Sequence, residues 1–132
     1  MNNWLYQSEP FLDPGEHYGF VYIITNLLSG RQYIGKKFFW TLKRKQVNKV
    51  RKRFKVESDW KEYWSSSDEL KEDVRTLGTE NFRREIIHLC VNKGTCNYLE
   101  AREQFERKVL ENKDLWYNTW IMVKVSRSHI KM

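Results

Sequence analysis

Gly19-Phe20-Val21-Tyr22-Ile23-Ile24-Thr25-Asn26, a turn through Leu27-Leu28-Ser29-Gly30, and then Arg31-Gln32-Tyr33-Ile34-Gly35-Lys36-Lys37 decide the fold of this chain. Phe, Val, Tyr and Ile suit a pleated, half-buried surface, and Gly30 supplies the positive φ that closes a short loop. The stretch therefore predicts an antiparallel hairpin. With Asn26 opposite Arg31, Ile24 falls opposite Tyr33 and Tyr22 opposite Gly35. Facing residues share a sheet face, so the two phenols are diagonal neighbours beside a position without a side chain.

The remaining composition narrows the class. A chain of 132 residues with 40% hydrophobic and 15% aromatic content is long enough for one domain with a single core. No apolar run approaches the roughly 20 residues of a membrane helix, so no membrane partner is expected. Met1-Asn2-Asn3-Trp4 lacks the blocks of a signal peptide. Cys90 and Cys96 do not make a disulfide framework, and the expected compartment is the cytoplasm. With His88 they offer three potential zinc ligands, but without the paired Cys-x-x-Cys spacing of a zinc site.

The net charge is +7, from 24 basic and 17 acidic residues. Residues 43–55 hold eight basic and no acidic side chains: Lys43, Arg44, Lys45, Lys49, Arg51, Lys52, Arg53 and Lys55. Without them the chain holds 16 basic against 17 acidic residues, a balance of −1. An excess this local, beside Phe38-Phe39-Trp40, points to a polyanion, most simply nucleic acid. A solvated face is the bland alternative.

The patterns predict an α/β (α+β) domain: a small, three-stranded, mainly antiparallel sheet flanked by helices. Residues 1–18 read as an irregular arm, 19–120 as the domain and 121–132 as a C-terminal extension. Phe38 to Leu42 is expected to start a helix, and the basic segment to form a loop, a small hairpin or a helix. Glu57 to Trp64 reads as a short helix with an aromatic face. Ser66 and Glu69 have the form of a capping box, followed by the stripe Leu70, Val74, Leu77 and a terminating Gly78. Glu85 to Val91 is the third strand. A second helix is expected from about Tyr98 to Glu111, with Asn97 and Glu100 as its cap pair. In that helix Tyr98, Ala101, Phe105 and Val109 mark the buried stripe, Leu99 and Leu110 extend it on one side, and Glu103 falls beside these two at its edge.

The combined pattern resembles the paired signature of GIY-YIG nucleases. Tyr22-x-Ile24-Thr25-Asn26, Gly30 and Tyr33-Ile34-Gly35 carry it, and Ser65-Ser66, Gly78, Phe82, Glu103-Gln104-Phe105 and Tyr117-Asn118 recur in order. The likeness is strongest to free-standing and intron-encoded endonucleases of T-even-type bacteriophages. Phe20-Val21-Tyr22 replaces Gly-Ile-Tyr, and no histidine lies between Tyr33 and Glu85.

The resemblance implies a Mg²⁺- or Mn²⁺-dependent DNA endonuclease, with Glu103 holding the ion and 5′-phosphate and 3′-hydroxyl products. It assigns Tyr22 as general base and Tyr33 as the group positioning water or phosphate. The family's arginine falls nearest Arg44, with Arg51, Arg53 and Lys37 as competitors. Gly35, Lys37 and Asn118 support the site, and Lys43, Lys45, Lys49, Arg51, Lys52, Arg53 and Lys55 would contact double-stranded DNA. A phage-encoded homing or DNA-degrading role in the host-cell cytoplasm follows; specificity is expected to be relaxed, or to come from the basic segment and from a homodimer or homotetramer. The rivals are a non-catalytic nucleic-acid-binding module and a structural or inhibitor protein on the same fold.

Overall fold

In chain order the elements are β1 (Leu5–Tyr6), β2 (Glu9–Pro10), β3 (Gly19–Asn26), β4 (Gln32–Phe38), β5 (Trp40–Val47), β6 (Val50–Glu57), α1 (Asp68–Leu77), β7 (Phe82–Cys90) and α2 (Lys93–Glu106). They come from a computed structural model that describes residues 2–47 and 50–132; the side chains of residues 44–53 lie outside that description. The architecture is mixed α+β. A five-stranded sheet runs in the order β2-β1-β7-β3-β4, and β5 and β6 form a separate two-stranded hairpin.

The opening hairpin has the expected register, with Ile24 opposite Tyr33 and Tyr22 opposite Gly35. β3 is buried along its whole length because strands flank it and cores cover both its faces. Side chains alternate across a strand. Phe20, Tyr22 and Ile24 therefore enter one core, with Trp4, Phe39, Trp60, Leu70 and Phe82. Val21 and Ile23 enter the other, with Ile34, Cys90, Cys96, Leu99 and Val109. β4 has only β3 as a strand partner, so it forms an edge of the sheet.

The sheet has five strands rather than three because residues of the N-terminal segment join it. β1 pairs with β7 in parallel and with β2 in antiparallel register. Gln7 and Ser8 make the tight turn between β1 and β2 at φ 51° and 69°, the double left-handed geometry a two-residue hairpin demands. The helix expected from Phe38 to Leu42 is absent: Phe38 ends β4 and Trp40 begins β5. The basic segment is thus a hairpin, with Arg44 in register with Arg53 and Lys45 with Lys52. The expected Glu57–Trp64 helix contracts to one 3-10 turn at Trp60–Glu62.

Helix starts also differ from expectation. The cap of α1 is Ser67, whose hydroxyl accepts from the Leu70 amide, rather than Ser66. Glu69 instead pairs with Arg31 at 2.7 Å, and Gly78 closes the helix at φ 94°. α2 starts five residues earlier than read from sequence, with Asn92 Oδ1 accepting from the Thr95 amide at 2.8 Å. Asn97 and Glu100 therefore sit inside the helix, and Glu100 is free of capping.

Candidate active site

A cleft of about 610 Å³ wraps around the edge strand β4, with Tyr22, Tyr33, Gly35, Lys36, Ser66 and Glu100 among its lining residues. Strand alternation explains the assembly. Tyr33 and Gly35 stand on the Tyr22 face, whereas Lys36 stands opposite Val21 on the face covered by α2. Gly35 leaves the edge open between the two sides. A Cβ there would lie 2.5 Å from Tyr22 Oη and 2.9 Å from Tyr33 Cε1. The pairing of β3 with β7 also slips beside Tyr22: Val21 faces His88 but Tyr22 faces Ile86, so Ile87 is an extra residue. Bulges of this kind re-aim neighbouring side chains.

The tyrosines lie together as the hairpin predicts, with ring centroids 6.2 Å apart. Tyr33 Oη lies 3.1 Å from Ser66 Oγ. A third phenol, Tyr63, packs edge-on to Tyr22 at 6.2 Å. Burial raises the Tyr22 pKa well above the ordinary 10.0, and Tyr33, Tyr63 and Glu100 push it further the same way. Burial likewise raises Tyr33, with the Ser66 hydrogen bond opposing it. A general-base tyrosine needs cationic neighbours that lower its pKa; the surroundings of Tyr22 act in the opposite direction. Both side chains are therefore neutral phenols, suited to orienting a ligand by hydrogen bonding.

Three carboxylates line the cleft, Asp68, Glu69 and Glu100. Asp68 and Glu69 are exposed and Glu69 is taken up by Arg31, which leaves Glu100 as the desolvated one. Its Oε1 accepts from Lys36 Nζ at 3.1 Å, and burial raises its pKa above the ordinary glutamate value, with Lys36 opposing. Glu103, the sequence-based candidate, does not line the cleft. Its carboxylate lies 3.5 Å from His88 Nε2 on β7 and 3.6 Å from Arg107 Nε. Phe105, read as a marker of the buried stripe, is exposed, as is Leu110. The buried residues of α2 are Thr95, Cys96, Leu99, Ala101 and Gln104.

Asn118 fastens the tail to the edge strand. Its Oδ1 accepts from the Ile34 amide at 3.1 Å and its Nδ2 donates to the Ile34 carbonyl at 2.8 Å. Gln104 Nε2 donates to the same carbonyl at 3.1 Å. These bonds hold β4 one residue before Gly35. Lys37 stays outside the cleft, 2.7 Å from Asp59 Oδ1 and 4.1 Å from the Tyr63 ring centroid. Lys43 is exposed, and Lys55 stands over the Trp40 ring at 5.7 Å. The side chains of Arg44, Lys45, Lys49, Arg51, Lys52 and Arg53 lie outside the described residues.

Sequence reasoning missed Lys36, Ser66, Gln104 and above all Glu100 as cleft residues. For Glu100 a signal existed: Cys96, Glu100 and Gln104 follow at helical spacing of four, two of them polar beside an apolar arc.

Phenols, an ammonium and a desolvated carboxylate in one cleft supply what a phosphodiester needs: hydrogen-bond donors, fixed positive charge and an oxygen ligand for a hard cation. The fold and cleft thus define a small α+β domain equipped for phosphate chemistry. Residues 4–121 match the model of the family described as "Putative endonuclease segE, GIY-YIG domain". The chain belongs to this GIY-YIG endonuclease family, which supports a nuclease-like function. No curated protein and no solved structure matches the chain. Among the described residues, no helix is long and apolar enough to cross a membrane.

Proposed function

We propose that the chain is a divalent-metal-dependent DNA endonuclease, hydrolysing phosphodiester bonds to 5′-phosphate and 3′-hydroxyl ends. A phage-encoded role is part of the same reading. The observation that carries it is Glu100: a half-buried carboxylate, held by Lys36 in a cleft whose other wall is Tyr22 and Tyr33.

The residues fit a hard cation. Glu100 is a single oxygen ligand whose burial disfavours ionisation, a cost that a bound dication offsets. One carboxylate, with waters and phosphate completing the shell, is a donor set that Mg²⁺ or Mn²⁺ accepts. When bound, the ion would supply charge stabilisation to the leaving oxygen. Lys36 contributes a positive charge to the phosphate. Tyr22 and Tyr33 donate hydrogen bonds that orient the phosphate or the attacking water. Asn118 and Gln104 keep β4 in place beneath them. The basic hairpin supplies charge for the DNA backbone.

Cleavage of supercoiled plasmid in Mg²⁺ tests this. Glu100→Gln is expected to lose on the order of 100-fold or more in rate, while Glu103→Gln stays within about threefold. The opposite ranking would show that the carboxylate is misassigned. Intact DNA with the wild-type protein would sink the enzymatic reading in favour of a binding module.

A further inference from the structure

One cleft wall is unused by this chemistry. Between Asn118 and Ser126 the chain runs without regular structure, and Thr119, Trp120 and Met122 join the lining of the cleft. Trp120 is 63% exposed and Met122 70% exposed. Three of the six tryptophans, Trp4, Trp60 and Trp116, are buried, so the fold has core positions for indoles and withholds one from Trp120. Asn118 sets where this wall stands, because its paired bonds to Ile34 anchor the segment two residues before the indole. Trp120 also shares the cleft with the Lys36 ammonium and the Tyr33 phenol.

We propose that Trp120 stacks on a nucleobase beside the scissile phosphate, so that the preferred substrate is DNA with an unpaired base at the cut, as in a single strand, a flap or a bubble. The inference rests on the nuclease reading above and specifies its substrate. The cationic side chain and the phenols recognise phosphate oxygens, which carry no base information. A flat indole with a free face recognises something else: every base has a π-face, but it is open to stacking only when the base leaves the duplex stack. A partly apolar wall of Trp120 and Met122 next to a phosphate-binding floor matches the amphiphilic profile of one nucleotide. Lys43 and Lys55 on the hairpin are exposed and supply sequence-independent attraction, which leaves discrimination to the cleft.

The test reads binding in a Glu100→Gln background, where DNA stays intact, by anisotropy of labelled oligonucleotides. The ligands are a 12-nucleotide single strand, the same strand with abasic sites, and the matched duplex. Adding Trp120→Ala is expected to weaken the base-containing strand by roughly 5- to 100-fold. It should abolish the preference over the abasic strand and leave duplex binding within about twofold. Trp120→Phe should restore most of the lost affinity. The inference is overturned if Trp120→Ala binds the base-containing strand as tightly as its parent, or weakens all three ligands equally. If the parent binds no DNA at all, the nuclease reading falls and this inference falls with it.

Discussion

Gly35→Ala probes the gap around which the cleft is built. The added methyl would sit 2.5 Å from Tyr22 Oη, 2.7 Å from Tyr22 Cζ and 2.9 Å from Tyr33 Cε1, where ordinary contact starts at 3.4 Å. The Tyr22 hydroxyl must therefore yield by about 0.9 Å, the difference between 3.4 and 2.5 Å. It has little room to do so. Trp4 packs on its ring at 5.0 Å, Phe20 at 5.9 Å and Tyr63 at 6.2 Å. Overpacking of this kind costs about 1–3 kcal/mol of stability. A displacement near 1 Å of a group that orients the reactants costs on the order of 100-fold in rate. The assay pairs plasmid cleavage at saturating DNA with urea unfolding, so that rate is compared between folded proteins. Tyr22→Phe removes the nearest atom, so Gly35→Ala/Tyr22→Phe should recover part of the stability while the rate stays low. A folded Gly35→Ala protein that cleaves within about threefold of wild type would refute the role given to the phenols.

Glu100→Gln should also change stability, in the opposite direction from activity. Burial raises the folded carboxyl pKa above 4.5. Between that value and the raised one the folded state binds more protons than the unfolded chain, so this group's contribution falls as pH rises through the window. Replacing it with Gln should flatten that decline in urea unfolding measured from pH 4 upward; an unchanged profile would contradict the burial of the carboxylate. Arg84→Lys tests a buried cation. The Arg84 guanidinium lies 4.7 Å from the Trp4 ring centroid and 4.3 Å from that of Trp64, and donates to the carbonyls of Tyr63 and Asn2. An ammonium cannot reproduce that planar stack and fork, so a loss of about 2–4 kcal/mol is expected. A loss under about 0.5 kcal/mol would show that the stack contributes little.

How much of the fold is legible in the sequence depends on where each element's order comes from. The β3–β4 hairpin carries its own instructions: alternating side chains fix the faces, and Gly30 with φ 80° fixes the turn and hence the register. β1 and β2 carry none. Two-residue strands have no period to detect, and Gln7-Ser8 adopts the left-handed turn without glycine. What places them is tertiary: Trp4 is buried against Phe20 and Tyr22 and donates from its indole nitrogen to the Trp60 carbonyl at 2.7 Å. The β5–β6 hairpin is legible only as one of three forms open to the basic segment. Its register opposes basic residues to basic residues, a pairing that weakens a sheet in isolation, so neither charge nor propensity announces a strand.

The choice between Glu100 and Glu103 turns on a different kind of information. At 100° per residue from Cys96, Glu100 falls at about 40° and Glu103 at about −20°, so both lie within the arc that α2 turns to the sheet. Hydrophobic phase cannot separate them. The difference lies in their neighbours one turn away. Gln104, four residues after Glu100, bonds to Ile34 of β4, whereas Glu103 meets His88 of β7. The order β7-β3-β4 puts those two strands on opposite sides of β3. One carboxylate therefore reaches the edge strand, where Gly35 opens onto the phenols, and the other is tied to a histidine and an arginine. Strand order is non-local, and a motif such as Glu-x-Phe, whose Phe105 turns out exposed, cannot stand in for it. In this chain the candidate site is a property of the sheet's edge, and the tyrosines were readable early because their hairpin supplies that edge.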